Sequence, residues 1–259
     1  MWVFARMRPA ILFLIIFGAT SAISYAQSEG LSLNQIVSRM EQARAAERDH
    51  NLAYTVEREY QLAPAGAAKP SADVVADVSF FPPSEKQYVI VKSEGNDRGA
   101  GIVRRVLDHE VAMANHWQPH AVSSDNYDFA LLGREAIDGR ECYVLQLSPK
   151  RDAVELVRGK AWVDAASFSI RRIEGETAKS PSLWVKKLNV TLNYGQVNGV
   201  WLETSTQAVA DVRLAGTHVL TSRELDVRTA TLSARASKPA APHRNREHVV
   251  ANTAAWVAH

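Results

Sequence analysis

The side chains best suited to chemistry lie in the middle of the chain. Asp108, His109 and Glu110 are consecutive, and His116 and His120 follow with one helical turn between them. Imidazole and carboxylate groups held on one surface can bind zinc and activate a water molecule. One interpretation is therefore an exported metal-dependent hydrolase that uses His109, Glu110, His116 and His120.

Two features of this segment argue against a metal site. The zincin motif His-Glu-x-x-His requires a second histidine where this chain has Met113, and Pro119 would break a helix between the two later histidines. The sequence also contains no G-x-S-x-G, Walker or G-x-G-x-x-G signature. We therefore predict a protein that is not an enzyme and uses no metal or cofactor, with a solvated helix face at this segment.

The charge balance and the single cysteine narrow the class of protein. Lys plus Arg number 30 and Asp plus Glu number 28, which leaves no basic face for nucleic acid. Cys142 is the only cysteine, so no intrachain disulfide can form and the fold must depend on its core. Because Cys142 begins an apolar strand pattern, we interpret its thiol as a packing group.

The two ends of the chain differ from the rest. Residues 1–26 have the pattern of a cleaved signal peptide: Arg6 and Arg8, a short apolar run, then small residues before a cut after Ala26. This predicts export to the periplasm, with an uncleaved N-terminal anchor as the alternative. Residues 230–259 lack periodicity and large apolar groups, apart from Trp256, and are predicted to be a disordered basic tail.

A helix is predicted at the start of the remaining domain, residues 27–229. Ser32 can cap it, and Gln35 can return the hydrogen bond of a capping box. Apolar residues then recur at spacings of three and four, at Ile36, Val37 and Met40. This helix should therefore pack one stripe against a core.

Strand patterns dominate from Asn51 onward, where apolar residues alternate with polar ones. Turns at Asp138-Gly139 and Asn198-Gly199 predict consecutive hairpins and an antiparallel meander. A second helix is predicted from Asp108 to Trp117. The further predicted strands are Val74–Phe81, Gln87–Lys92, Gly101–Leu107, Glu141–Leu147, Val157–Val163, Phe168–Glu174, Leu183–Tyr194, Val200–Val209 and His218–Val227.

Several of these strands carry large apolar groups on both faces. Trp162 alternates with Ala161 and Val163, and Trp201 alternates with Val200 and Leu202. A filled core is the ordinary explanation. A curved sheet wrapped around a helix, with a cavity left open for an acyl chain, is the other.

Four stretches carry a family resemblance: 138–150 (DGRECYVLQLSPK), 159–164 (GKAWVD), 170–175 (IRRIEG) and 179–184 (KSPSLW). Through them, residues 31–227 resemble the outer-membrane lipoprotein-sorting superfamily, which contains LolA, LolB and the sensor RseB. The resemblance implies an α+β fold: an unclosed, strongly curved antiparallel β-barrel, LolA-like, with an N-terminal helix and short helices covering the concave face.

The resemblance also implies a function. It predicts a periplasmic carrier that shelters acyl chains of a lipid or lipoprotein, serves outer-membrane lipoprotein or lipid trafficking, and touches a membrane transiently. An RseB-like sensor that binds an envelope protein is the alternative. The predicted lipid-binding side chains on the concave face are Tyr88, Ile90, Trp162, Phe168, Trp184 and Trp201.

Overall fold

The computed structural model describes residues 30–49, 52–114 and 121–229. The predicted signal peptide and tail, together with His116 and His120, lie outside these residues. The described helices are α1 (Leu33–Asp49) and α2 (Asp97–Ala114), and neither is long and apolar enough to cross a membrane. The strands are β1 (Tyr54–Pro64), β2 (Ala72–Phe81), β3 (Glu85–Gly95), β4 (Tyr127–Ile137), β5 (Arg140–Pro149), β6 (Val157–Asp164), β7 (Ile170–Thr177), β8 (Val185–Val197), β9 (Val200–Val212) and β10 (Gly216–Thr229).

All ten strands form one antiparallel sheet. Their order is β3-β2-β1-β10-β9-β8-β7-β6-β5-β4, so neighbouring strands are successive in the chain except where β1 pairs with β10. β3 and β4 each pair on one side only and form the two edges. The sheet is therefore not closed into a barrel, which confirms the α+β fold class predicted from the sequence.

The start of α1 confirms the predicted capping box. The Ser32 backbone N–H donates to Gln35 Oε1 at 2.9 Å, and the Gln35 backbone N–H donates to Ser32 Oγ at 3.4 Å. Ile36 and Met40 are fully buried one turn apart. The hydrophobic stripe of α1 therefore packs into the core as predicted.

The predicted strand Gly101–Leu107 is wrong, because this segment is the middle of α2. Asn96 caps the helix, since its Oδ1 accepts a hydrogen bond of 2.7 Å from the Gly99 N–H. Val103, Val106 and Leu107 are buried at spacings of three and four. Apolar residues of segment 101–107 alternate well enough to resemble a strand pattern. The Asn96 cap and the spacing of three and four between the buried residues favour a helix.

Strand β4 has no counterpart among the predicted strands. Most of its side chains are exposed, and a bulge between Leu131 and Gly133 shifts its register against β5. Exposure and the bulge together remove the regular alternation on which strand prediction depends. β4 is therefore identified by its pairing with β5 rather than by its own residues.

The tight turns predicted from the sequence are present. Asp138 and Gly139 have φ values of 50° and 74°, and Asn198 and Gly199 have 49° and 84°. Two successive residues with positive φ connect antiparallel strands without splaying them. Cys142 is buried and free, as predicted for a packing group.

The turn between β6 and β7 is organised by the carboxylate of Asp164. Its Oδ1 accepts hydrogen bonds from the Ala166 and Ser167 N–H groups at 2.9 and 3.0 Å, and its Oδ2 pairs with Arg171 Nε at 2.7 Å. Burial would raise the pKa of Asp164, but Arg171 and the two N–H groups lower it to about 2. The charged carboxylate is therefore part of the folded state.

We predict that Asp164→Asn lowers the free energy of unfolding at pH 7 by about 2 kcal/mol, because a charged hydrogen-bond acceptor is lost. The folded-state pKa lies below the unfolded value of 3.8, so this stabilisation is complete above pH 4 and is lost as the pH falls through 2. The difference between wild type and variant should therefore shrink between pH 4 and pH 2 in urea titrations. Asp138→Asn, an exposed change in the previous turn, is the control, and an equal loss in both variants would contradict the assignment.

Candidate ligand-binding cavities

The face of the sheet that carries both helices also carries two cavities. Cross-strand pairing places five residues in one row on this face: Ile173, Leu192, Thr206, Ser222 and Tyr60. Every member of the row lines one of the two cavities, and Leu192 lines both. The cavities therefore lie side by side and meet at Leu192.

The first cavity, beside α2, has a volume of about 370 Å³. Its apolar wall includes Val106 and Met113 of α2 together with Leu192 and Leu220 of the sheet. Its remaining wall is strongly polar and includes Lys86, His109, Glu110, Glu203 and Thr206. This cavity is consequently amphipathic rather than a plain apolar space.

Two ion pairs account for the polar wall. Arg58 Nη1 lies 2.8 Å from Glu203 Oε1, and only 7% of the Arg58 side chain is exposed. Lys86 Nζ lies 2.8 Å from Glu110 Oε2, while the Tyr60 hydroxyl donates to Glu110 Oε1 at 3.3 Å. Glu110 belongs to α2, so the second pair attaches the helix to β1 and β3.

The charges of these groups support one another. Burial would raise the pKa of Glu110, but Lys86 and Arg58 hold it below its ordinary value. Burial would lower the pKa values of Lys86 and Arg58. Glu110 raises the pKa of Lys86, and Glu203 raises the pKa of Arg58. Arg58, Lys86 and Glu110 are therefore ionised at neutral pH inside the cavity wall.

The second cavity, beside α1, is about 260 Å³ and mainly apolar. Val122, Val157, Ile170, Ile173 and Trp201 form much of its wall, with Tyr127 and Tyr194. The Tyr127 hydroxyl accepts a hydrogen bond from the Val157 N–H at 3.0 Å, so this polar atom is satisfied. Most of this wall is therefore apolar.

The charged side chains in the wall of the second cavity are Arg44 and Glu47 of α1 and Glu155. Arg44 Nη1 donates to the Val122 carbonyl at 2.9 Å, and Ser169 Oγ donates to Glu47 Oε1 at 2.6 Å. Burial lowers the pKa of Arg44 and raises that of Glu47. A third, polar depression of about 610 Å³ shares Glu47 and Trp201 with this cavity.

Three of the six predicted lipid-binding side chains lie on the helix-covered face. Trp201 lines the second cavity. Tyr88 and Ile90 are partly buried against the core beneath α2, and the Tyr88 hydroxyl donates to Asp108 at 2.6 Å. Trp201 alone among them borders either cavity.

The other three predicted side chains lie elsewhere. Trp162 is buried in a small cluster with Cys142 and Val144, and it pairs across the sheet with Arg172. Phe168 stacks on Tyr143 in the turn after β6. Trp184 precedes β8 and is 47% exposed. The structure therefore does not bring the six together.

Sequence reasoning singled out His109 and Glu110 of the first cavity but missed Lys86, Arg58 and Glu203. Arg58 occupies an alternating position in β1 between the buried residues Val56 and Tyr60, so its side chain points to the same face as theirs. A charged residue in phase with apolar ones was the available signal. Glu203 could not be paired with it, because 145 residues separate the two.

Only two of the four residues of the hypothetical metal site, His109 and Glu110, belong to the part of the chain that the structure describes. His109 and Glu110 line the first cavity, and burial lowers the pKa of His109. Among the described residues no group of three or more His, Cys, Asp or Glu side chains could hold a metal ion. His116 and His120 lie outside that part of the chain.

Similarity to known proteins was found among solved structures. The chain is similar to a LolA superfamily protein from Nitrosomonas europaea (14% identity, 78% of this chain and 96% of that chain, TM-score 0.39). It is also similar to a DUF1329 family protein from Desulfovibrio piger (14%, 77% and 95%, 0.40) and to a domain named for outer-membrane lipoprotein sorting from Vibrio parahaemolyticus (14%, 76% and 93%, 0.40). Two of these names match the resemblance noted in the sequence.

Comparison of the sequence with family models and with curated proteins gives only one partial match. A family model described as an uncharacterized protein-like family matches residues 118–230, less than half of the chain. None of the curated proteins matches the sequence. TM-scores of 0.40 or less carry no argument about function, which has to be argued from the chain's own residues.

We predict that Arg58→Met lowers the free energy of unfolding by about 3 kcal/mol, because Glu203 would keep a largely buried charge without its partner. Arg223→Met is the matched control: Arg223 pairs with Glu59 at 2.6 Å but its side chain is 64% exposed. Loss of such a surface pair should cost much less than loss of the buried pair, because solvent screens it. Urea unfolding followed by tryptophan fluorescence measures both, and equal losses would contradict a structural role for the buried pair.

Proposed function

We propose that this protein is a periplasmic carrier that shelters acyl chains of a lipid or lipoprotein between its two helices and the sheet. The observation that carries the proposal is the second cavity, an unfilled and mainly apolar space of about 260 Å³ against α1. Transfer of hydrocarbon into such a space is worth about 0.8 kcal/mol for each CH₂ group. Affinity can therefore come from burial alone, without catalytic groups.

The surroundings of this cavity favour an amphiphile over a plain hydrocarbon. The adjoining polar depression is lined by Arg140, Arg171, Ser167 and Ser169. Arg140 and Arg171 share Asp164 at 3.8 and 2.7 Å, so two cations face one carboxylate there. An acyl chain in the apolar cavity would thus place its polar end beside two guanidinium groups and two serine hydroxyls, with the positive charge balanced by Asp164 and Glu47.

The first cavity would accept the far part of a longer chain or a second chain. Leu192 lies at the junction of the two cavities, and Val106, Met113 and Leu220 continue the apolar wall beyond it. The ionised pairs opposite that wall limit how much hydrocarbon can lie there without desolvating charge. The cavity beside α1 is therefore the main acyl site of the proposal.

Lipid extraction and native mass spectrometry of protein purified after export test the proposal directly. We expect a co-purifying lipid, and uptake of a fluorescent fatty acid once that lipid is removed. Delipidated protein that takes up no fatty acid would contradict the carrier. A stoichiometric envelope protein bound to a chain with empty cavities would instead support the sensor interpretation.

A pair of tryptophan variants localises the site. Trp201→Ala should weaken fatty-acid binding about tenfold, because an aromatic side chain of the cavity wall is lost. Trp184→Ala, which removes the same side chain from an exposed position, should leave binding unchanged when no membrane is present. Equal effects of the two variants on fluorescent fatty-acid titrations would refute this location.

A substitution that fills the junction of the two cavities tests the carrier proposal independently. Leu192→Trp should lower the number of acyl carbons that can be bound, because the larger side chain separates the two cavities. Leu183→Trp, at a position that is 91% exposed, is the matched control. A series of fatty acids of increasing length measures the effect, which should be greatest for the longest chain, and identical length profiles in the two variants would count against a shared path.

A further inference from the structure

Three loops lie side by side in the middle of one end of the sheet, flanked by the β3–α2 loop on one side and the β5–β6 loop on the other. The Ala65 N–H, after β1, donates to the Thr217 carbonyl at 2.8 Å, and the Arg213 N–H, after β9, donates to the Trp184 carbonyl at 2.8 Å. These bonds join the loops β1–β2, β9–β10 and β7–β8 in a row. We call residues 65–70, 178–184 and 213–215 the loop face.

Three large apolar side chains of the loop face point into solvent. Leu214 and Leu183 are 101% and 91% exposed, and Trp184 is 47% exposed. Leu214 also has a φ of 65°, a conformation that Gly or Asn adopts more easily and that costs a Leu about 1 kcal/mol. Neither core packing nor turn geometry therefore explains a leucine at this tip.

The charges of the loop face have one sign. It contains Lys69, Lys179 and Arg213, all exposed, and no Asp or Glu. On the strands next to the loop face, Lys186 Nζ lies 3.8 Å from Asp211 Oδ2, and Lys187 Nζ lies 3.8 Å from Glu176 Oε2. Each of these two pairs is therefore electrically neutral. The outermost surface therefore combines exposed apolar tips with an excess of three positive charges.

We propose that the loop face docks on an anionic membrane surface. Leu183, Leu214 and the Trp184 ring would enter the interfacial region, where tryptophan is favoured, while the three cations contact lipid phosphates. A second copy fits this face less well, because a two-fold contact would bring the same cations together. The docking surface goes beyond the proposed carrier function and does not rest on it, since none of these residues lines either helix-side cavity.

Vesicle cosedimentation of the exported protein tests the proposal. Vesicles of phosphatidylglycerol and phosphatidylethanolamine should bind it, and vesicles of phosphatidylcholine should not. Combining Leu183→Ser, Trp184→Ser and Leu214→Asn should lower the partition coefficient at least tenfold. Each of Lys69→Gln, Lys179→Gln and Arg213→Gln should lower it about fivefold, the equivalent of about 1 kcal/mol for each cation at an anionic surface.

Matched variants keep the result interpretable. Leu131→Ser with Leu132→Ser removes two other exposed leucines, 41% and 51%, from the edge strand β4 and should leave binding unchanged. Leu214→Asn alone should weaken binding while keeping or raising the melting temperature, because it removes backbone strain rather than a core contact. This separates lost docking from lost folding.

Three results would overturn the proposal. They are unchanged binding of the triple apolar variant, equal binding of wild type to neutral vesicles, and loss of a dimer rather than of vesicle binding in the variants. Trp201→Ala, which tests the carrier, should leave vesicle binding intact. Failure of the carrier proposal and failure of the docking proposal are thus distinguishable.

Discussion

Coverage of one face of a wide sheet is the constraint on which this structure depends. Ten strands spaced about 4.8 Å apart span about 43 Å, whereas one helix covers only about 10 Å. The two helices of the described residues cannot shield such a face, so the sheet must curl or leave space. The space lies between the helices, where Leu192 of β8 borders both cavities. An unfilled interior thus follows from the ratio of strands to helices.

The two cavities differ because the helices are attached differently. α2 is joined to the sheet by the Glu110 carboxylate, which meets Lys86 and Tyr60. These charges make the neighbouring space amphipathic. α1 packs through Ile36 and Met40 and contributes Arg44 and Glu47 to the wall of its cavity. Both spaces are mainly apolar, and they differ in that only the first has the ion pair between α2 and β3 in its wall.

Local features of the fold could be predicted from nearby residues. The Ser32 cap and the Asn198-Gly199 turn depend on side chains within a few positions of each other, so a short segment contains the whole cause. The exposed strand β4 and the segment 101–107 could not be assigned in this way. β4 is defined by its pairing with β5 and by a bulge. Segment 101–107 is short enough to fit both the strand period of two and the helix period of 3.6.

The sequence by itself determined the strand-rich antiparallel architecture, the N-terminal capped helix and the absence of disulfides, because alternation, caps and cysteine number are local or compositional. It did not determine the site. Trp162, Trp184 and Trp201 all lie in or next to strands, yet one is buried in a small cluster, one is exposed and one lines a cavity. Only the tertiary structure decides among these outcomes, since bulges shift strand parity and two helices cover part of one face. The pairing of Arg58 with Glu203, far apart in sequence, is decided in the same way.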